Sequence, residues 1–286
     1  MPAVEVGGVS LYYEERGSGR PTVFVHGIPT DYRAWAAQVG PFSEGRRMIA
    51  LSRRYAAPNV RQGDVSDSTV QNNAADLKGF IEKVGGGPVD LVGHSYGGFI
   101  SAHLTADHND LVRSLVLVEP AVSTLLVADQ SSGSQLLGLL LRSPSVALSG
   151  RRFQNGSLRP SLKALEAGDG ARAVELNVDG VEDSKGAFGR FTEETRRMML
   201  ENASTIAELK TVFPRFTAEE AGMISCPTLI VNGEASAPWL RRIGELLGRA
   251  VRNSRVVRVQ GARHFPHMEN PGEFNERVLS FLGRGD

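Results

Sequence analysis

Leu91-Val92-Gly93-His94-Ser95-Tyr96-Gly97-Gly98 decides the reading of this chain: an apolar run turns at a Gly-x-Ser-x-Gly and passes straight into a helical pattern. A serine at the tip of a strand-to-helix turn sits in a cramped backbone conformation, so the residues two before and two after it must be small. Gly93 and Gly97 meet that need. The same turn aims the N–H of Tyr96 and the N-terminus of the next helix at negative charge growing beside Ser95. With 32 glycines in the chain, such a motif also arises by chance, so its surroundings carry the argument. Pro88-Val89-Asp90-Leu91-Val92 reads as a buried strand, and Phe99, Ile100 and Leu104 follow as the apolar face of a helix. Ser95 is therefore the candidate nucleophile of an acyl-transfer site.

On the N-terminal side, Val4-Glu5-Val6 and Leu11-Tyr12-Tyr13-Glu14 flank Gly7-Gly8 as a hairpin. Val23-Phe24-Val25-His26 then reads as a buried strand ending at His26-Gly27-Ile28-Pro29. A glycine there lets the backbone approach closely, so the N–H of Ile28 could face the nucleophile from the side opposite Tyr96, giving a two-donor oxyanion hole. The competing reading is a plain strand-to-helix turn with His26 hydrogen-bonded in the core. Met48-Ile49-Ala50-Leu51 is the next strand. Val70, Ala74, Leu77, Ile81 and Val84 mark a helix that ends at Gly85-Gly86-Gly87.

On the C-terminal side, Ser114-Leu115-Val116-Leu117-Val118 is another strand, closing at Glu119-Pro120. Alternating strands and helices predict an α/β fold with a doubly wound, mostly parallel sheet, whose sites form at the carboxyl ends of strands. From Ala121 to about Gly222 the strand pattern stops. Amphipathic stretches such as Ser161 to Ala167, Ala171 to Asn177 and Glu193 to Leu200 predict a helical cap over 121–222, with the core formed by 1–120 and 223–286. The sheet resumes with Thr228 to Asn232, a helix from about Ala237 to Leu247, and Arg255 to Val259. Asn270, Pro271 and Glu273 read as an N-cap, a first-turn proline and a capping-box partner, placing Phe274, Val278 and Phe281 on the inner face of the last helix. His264 thus falls in the loop between the last strand and the last helix, where a general base could reach Ser95.

Composition sets bounds on function. The chain of 286 residues carries 32 basic and 32 acidic side chains, so no net field favours nucleic acid or an anionic membrane. A small-molecule substrate is expected, with no nucleic-acid or membrane partner and no cofactor, in a monomer or homodimer. Met1 to Ser10 has neither a basic n-region nor an apolar h-region, and no apolar run is long enough to span a bilayer, so a cytoplasmic location is expected. Leu136-Leu137-Gly138-Leu139-Leu140-Leu141 is too short to cross a membrane and is expected to line a pocket or a helix interface. The single cysteine, Cys226, excludes an internal disulfide and reads as a packed thiol. His94 and His103 read as structural, His267 competes with His264, and no metal-ligand spacing is present. Arg53, Arg54 and Tyr55 read either as a pocket rim or as a solvated basic loop.

With these residues in hand, the chain resembles the α/β-hydrolase superfamily over nearly its full length. The resemblance rests on His26-Gly27-Ile28-Pro29, Gly93-His94-Ser95-Tyr96-Gly97-Gly98, the Gly261-Ala262-Arg263-His264 loop and the helical insertion before the last two strands. It implies that Ser95 attacks an acyl carbon, that His264 takes and returns the proton, and that an acid holds His264 in the right tautomer. Members usually carry that acid as an aspartate three residues past a glycine after the penultimate strand. Counted from Gly233, the position here is Ser236. Glu119 and Glu234 are the candidate replacements, and Glu119 is favoured, because its strand-end position resembles the acid site of one branch of haloalkane dehalogenases and of zearalenone-type lactonases.

Dehalogenases and epoxide hydrolases of this architecture use an aspartate nucleophile, so Ser95 argues against both. The expected function is a cofactor-free serine hydrolase of a small or medium apolar carboxylic ester or lactone. The alternatives are a hydrolase-derived ligand receptor and a non-hydrolytic lyase or cyclase of a biosynthetic pathway.

Overall fold

Eight strands pair into one sheet in the order β1-β2-β4-β3-β5-β6-β7-β8. They are β1 (Ala3–Val6), β2 (Val9–Arg16), β3 (Arg20–Val25), β4 (Arg46–Leu51), β5 (Val89–His94), β6 (Val112–Val118), β7 (Thr228–Gly233) and β8 (Ser254–Val259). The structure is a computed structural model that describes residues 1–59, 65–129, 132–211 and 213–283. The hairpin β1–β2 is antiparallel and joins antiparallel to β4, while β3 to β8 run parallel. Helices cover both faces of a parallel sheet, so its central strands must be apolar on both sides. Val23, Phe24, Val25, Leu91, Val92, Leu115 to Val118 and Leu229 to Val231 accordingly lie buried. This is the mostly parallel α/β sheet, with helices between its strands, that the strand-and-helix alternation predicts.

The register brings the strand ends to one edge. Val25 pairs with Gly93, His94 with Val118, and Val118 with Val231, so the chain leaves β3, β5, β6 and β7 at nearly the same level. Residues 26–28, 95, 119 and 233 therefore meet on one rim. The helix Tyr96–Asp107 starts directly after Ser95 and is almost wholly buried.

Between β6 and β7 the chain forms a cap of helices that includes Gly133–Arg142, Pro144–Phe153, Arg159–Glu166, Gly170–Val181 and Glu193–Glu201. Ala173, Val174, Val178, Met198, Met199 and Ile206 are buried within it, matching the amphipathic stretches read from the sequence. Helix 144–153 joins cap to core by stacking Phe153 on Trp239, centroids 5.1 Å apart.

Two local expectations need correction. The leucine run neither lines a pocket nor fills a helix interface: Leu136, Leu137, Leu140 and Leu141 are 41–76% exposed, and of the run only Leu139 packs against the core. Among the described residues the helix 133–142 packs mainly against helix 144–153, which leaves most of its leucines uncovered. At the last helix, Pro271–Leu282, the Asn270 side chain accepts from the Glu273 N–H, but the capping box does not close. Glu273 instead accepts from the Gln260 N–H, tying the helix start to the end of β8. Among the described residues no helix is long and apolar enough to cross a membrane.

Candidate active site

Ser95 has φ +52° and ψ −116°, a left-handed conformation that costs a non-glycine residue on the order of 1–3 kcal/mol and persists only where the surroundings enforce it. The enforcement is visible on both sides. A Cβ on Gly93 would strike the Ser101 side chain, and one on Gly97 would strike the Val25 and His26 carbonyls. The Ser95 N–H donates to Val118 O, and Ser95 O accepts from Phe99 N and Ala121 N. The turn is thus clamped between two strands and its own helix, leaving Ser95 8% exposed.

Around that hydroxyl the sheet edge gathers two groups from distant parts of the chain. His264 Nε2 lies 3.0 Å from Ser95 Oγ, and His264 Nδ1 lies 3.4 Å from Glu119 Oε2. Glu119, at φ +47°, has no exposed surface, and its other oxygen accepts from Asn232 Nδ2 (2.9 Å), the Gly233 N–H (2.8 Å) and Ser236 Oγ (2.7 Å). Ser236 occupies the position at which an aspartate was sought. Its hydroxyl also lies 2.8 Å from Arg263 O, so its single hydrogen is shared between a carboxylate and a carbonyl. Glu234, the other candidate acid, points outward from an exposed position, where its Oε2 accepts from the Gly261 N–H. The structure brings Ser95, His264 and Glu119 together and leaves Glu234 apart.

The 26–28 loop packs directly on the turn. A Cβ on Gly27 would lie 2.8 Å from Ser95 Cβ, so only glycine admits this approach. Tyr96 is the first residue of its helix, where backbone N–H groups lack intrahelical partners. Ile28 follows Gly27 in that loop, and Tyr96 follows Ser95 in the chain.

Three further histidines surround the site without contacting Ser95. His26 Nε2 accepts from the Arg53 N–H and its Nδ1–H faces Gly27 O, which fixes the tautomer. Burial, with the nearby Arg53 charge, holds its pKa well below the ordinary value. His94 Nε2–H donates to His264 O at 2.8 Å, so it supports the backbone of the base rather than merely packing. Burial keeps its pKa well below the usual range, and the neighbouring imidazoles of His267 and His264 add to that. His267, the competitor read from the sequence, lies in an aromatic stack with Trp35 (4.4 Å) and His94 (4.5 Å), with both ring nitrogens unpartnered. Burial pushes its pKa down to about 3. A neutral ring at 94 spares the His264 ring, 5.0 Å away, like-charge repulsion that a low-dielectric interior would magnify.

Arg53, Arg54 and Tyr55 do not form a solvated loop: all three are buried. Arg53 donates to Glu208 Oε2 (2.7 Å) on the cap and to His26 O (3.1 Å), and its guanidinium lies 5.0 Å over the Tyr96 ring. Arg54 pairs with Asp76. A partner so distant in sequence as Glu208 leaves no local signal. The role of His94 and the contact of Glu182 Oε1 with the His264 N–H (3.0 Å) escape sequence reading for the same reason. Ser236 was findable from its offset to Gly233. Cys226 is a buried free thiol whose pKa burial pushes up to about 11. Among the described residues no group of three His, Cys, Asp or Glu side chains could hold a metal ion.

A model of the alpha/beta hydrolase family matches residues 22–277. The 2-(acetamidomethylene)succinate hydrolase of Mesorhizobium japonicum is 30% identical over 98% of this chain and 94% of its own length. Among solved structures, the N-acyl homoserine lactone degrading enzyme Est816 superposes with a TM-score of 0.65, 21% identical over 98% of this chain and 100% of its own. A thermophilic esterase from Thermogutta terrifontis superposes with a TM-score of 0.68, 20% identical over 100% of this chain and 99% of its own. At those identities the structures attest the fold, and the family match over nine-tenths of the sequence completes the assignment: the chain belongs to the alpha/beta hydrolase family.

Proposed function

We propose that the protein is a serine hydrolase that cleaves a small or medium apolar carboxylic ester or lactone through an acyl-enzyme. The observation that carries this is the line from Ser95 Oγ to His264 Nε2 at 3.0 Å and from His264 Nδ1 to Glu119 Oε2 at 3.4 Å. His264 Nε2 takes the Ser95 proton as Oγ attacks the carbonyl carbon. The backbone N–H groups of Ile28 and Tyr96 receive the oxyanion, and Glu119 orients and neutralises the imidazolium. The tetrahedral adduct then expels the alcohol, which leaves with the proton from His264. A water, deprotonated by the same imidazole, releases the acid and restores Ser95.

The apolar preference follows from the surroundings. Phe213 of the cap packs on Tyr96 and Phe99, and Phe191 of the cap packs on Phe265 beside His264. Arg53, whose guanidinium lies over the Tyr96 ring, is neutralised by Glu208. The names of an esterase and a lactone-degrading enzyme among the structural neighbours agree with this choice. A fluorophosphonate probe is expected to label Ser95, and Ser95→Ala to lower turnover of an ester and lactone panel by about 10⁴-fold or more. Unlabelled protein, or turnover unchanged in Ser95→Ala, would falsify the proposal.

A further inference from the structure

The loop that carries His264 is held by carboxyl groups from two different parts of the molecule. Three consecutive backbone N–H groups are received by side chains: Arg263 N by Glu269 Oε2 (2.7 Å), His264 N by Glu182 Oε1 (3.0 Å) and Phe265 N by Glu269 Oε2 (3.3 Å). Glu269 belongs to the same turn of chain, within Pro266–Glu269. Glu182 belongs to the cap, immediately after the helix Gly170–Val181, and is 1% exposed. The arrangement is reciprocal, because Arg263 Nη1–H donates to the Glu182 main-chain carbonyl at 3.1 Å. A carboxyl group reaching this depth from a separate layer has no packing role that an apolar side chain would not fill better. Its one direct hydrogen bond into the core ends on the backbone of His264.

We propose that Glu182 is a positioning residue, through which the seated cap holds the His264 loop in register with Ser95. The proposal rests on the reading of His264 as the base. A displacement of about 1 Å at a reacting group can cost on the order of 10²-fold in rate, so a hydrogen bond that fixes the backbone of the base acts on kcat. With the cap lifted, His264 N loses its acceptor, and the base is fully placed only when the cap is down. Cap closure thereby completes the site as well as enclosing it.

The charges that face Glu182 give the contact a pH dependence. They are Glu269 and Arg263 on the core side and Arg190 on the cap, whose Nη2 lies 3.9 Å from Glu182 Oε2, while Asp183 beside it pairs with Arg152. Burial, and then the Glu269 carboxylate, push the Glu182 pKa up to about 9. Burial thus favours the neutral form of Glu182, whose Oε1 accepts from His264 N while its Oε2 lies buried without a hydrogen-bond partner beside the Glu269 carboxylate. With the cap open, Glu182 returns toward the ordinary value of 4.5. A group raised in the closed state favours closure fully below that ordinary value, and the preference drains away as pH rises through about 9.

The test compares Glu182→Ala, which removes the acceptor, with Glu182→Gln, whose amide keeps an acceptor for the His264 N–H and carries no charge. Two readouts are taken between pH 7 and 10. They are kcat and KM on an ester cleaved by the wild type, and hydrogen exchange of the 263–265 amides corrected for intrinsic rate. Expected results are an approximately 30- to 100-fold loss of kcat with little change in KM for Glu182→Ala, and recovery to within a few-fold for Glu182→Gln. Amide protection in the wild type should collapse near pH 9, and that collapse should be absent in Glu182→Gln. Glu182→Gln as impaired as Glu182→Ala, or 263–265 protection equal in all three proteins across the range, overturns the inference. Because exchange is read without turnover, a protein whose Ser95 proves inert would refute the catalytic reading while leaving the exchange result to decide whether the cap holds this loop.

Discussion

Two buried glutamates reach His264 from opposite regions of the molecule, and they are held in opposite ways. Glu119, on the core rim, has one oxygen gripped by three donors drawn from β7 and the loop after it, and its other oxygen faces the imidazole. Glu182, on the cap, has one donor, a backbone N–H, and stands beside a second carboxylate. The core carboxyl group is built to stay in one place and receive charge. The cap carboxyl group is built to be engaged or released. The same residue type at similar burial therefore serves fixed chemistry in one region and adjustable geometry in the other, and the difference lies in the number and origin of the donors.

The largest effect that can break this comparison is at Glu119. Glu119→Gln keeps the shape but cannot neutralise an imidazolium, and its amide can present an N–H to Nδ1 and impose the wrong tautomer. A loss of kcat of about 10³- to 10⁴-fold is expected, with fluorophosphonate labelling of Ser95 slowed in parallel. Glu234→Gln is the control, since Glu234 is exposed and its side chain accepts from the Gly261 N–H, which an amide oxygen also can do: a change under about two-fold is expected. A large loss confined to Glu234→Gln would reverse the assignment of the acid.

Next comes another cap-to-core contact, Arg53 with Glu208, whose side chains are 2% and 0% exposed. Removing one partner of a buried pair strands the other charge, at a cost of about 3–5 kcal/mol, whereas replacing both with apolar side chains is often nearly neutral. Glu208→Ala is expected to lower stability in urea by about that amount, and Arg53→Met with Glu208→Leu to regain most of it. A double variant as unstable as Glu208→Ala would mean that Arg53 is held mainly by the His26 and Gly27 carbonyls, and that the pair belongs to the 26–28 loop rather than to the seating of the cap.

How far the sequence could be read follows the same division. The sheet was legible because parallel strands buried on both faces must be continuous apolar runs, as Val23 to Val25 and Leu115 to Val118 are. The elbow was legible because its glycines are required by close backbone approach, which leaves a fixed local spacing. Glu119 was legible only through a strand end and a family resemblance. The burial of Arg53 was not legible, because a cationic residue in a loop is ordinarily solvated and its neutralising partner lies 155 positions away. Leu136 to Leu141 misled for the converse reason. Apolar periodicity reports what a helix could bury, and this helix is placed where little meets it.

The smallest effect concerns Ser236, and it sharpens the comparison most. If Glu119 is fixed by the number of its donors, losing one should loosen it without releasing it, because Asn232 Nδ2 and the Gly233 N–H remain on the same oxygen. A hydrogen bond to a charged group contributes about 1.5–3 kcal/mol. The hydroxyl hydrogen is shared with Arg263 O, so the part directed at Glu119 falls at or below the lower end of that range. Ser236→Ala should therefore reduce kcat by about ten-fold or less while leaving KM unchanged, far short of Glu119→Gln. A loss as large as that of Glu119→Gln would mean that the three donors act as one cooperative unit. No loss at all would mean that two donors already immobilise the acid, and that the serine at the position where relatives carry an aspartate serves the Arg263 carbonyl, and through it the His264 loop, instead.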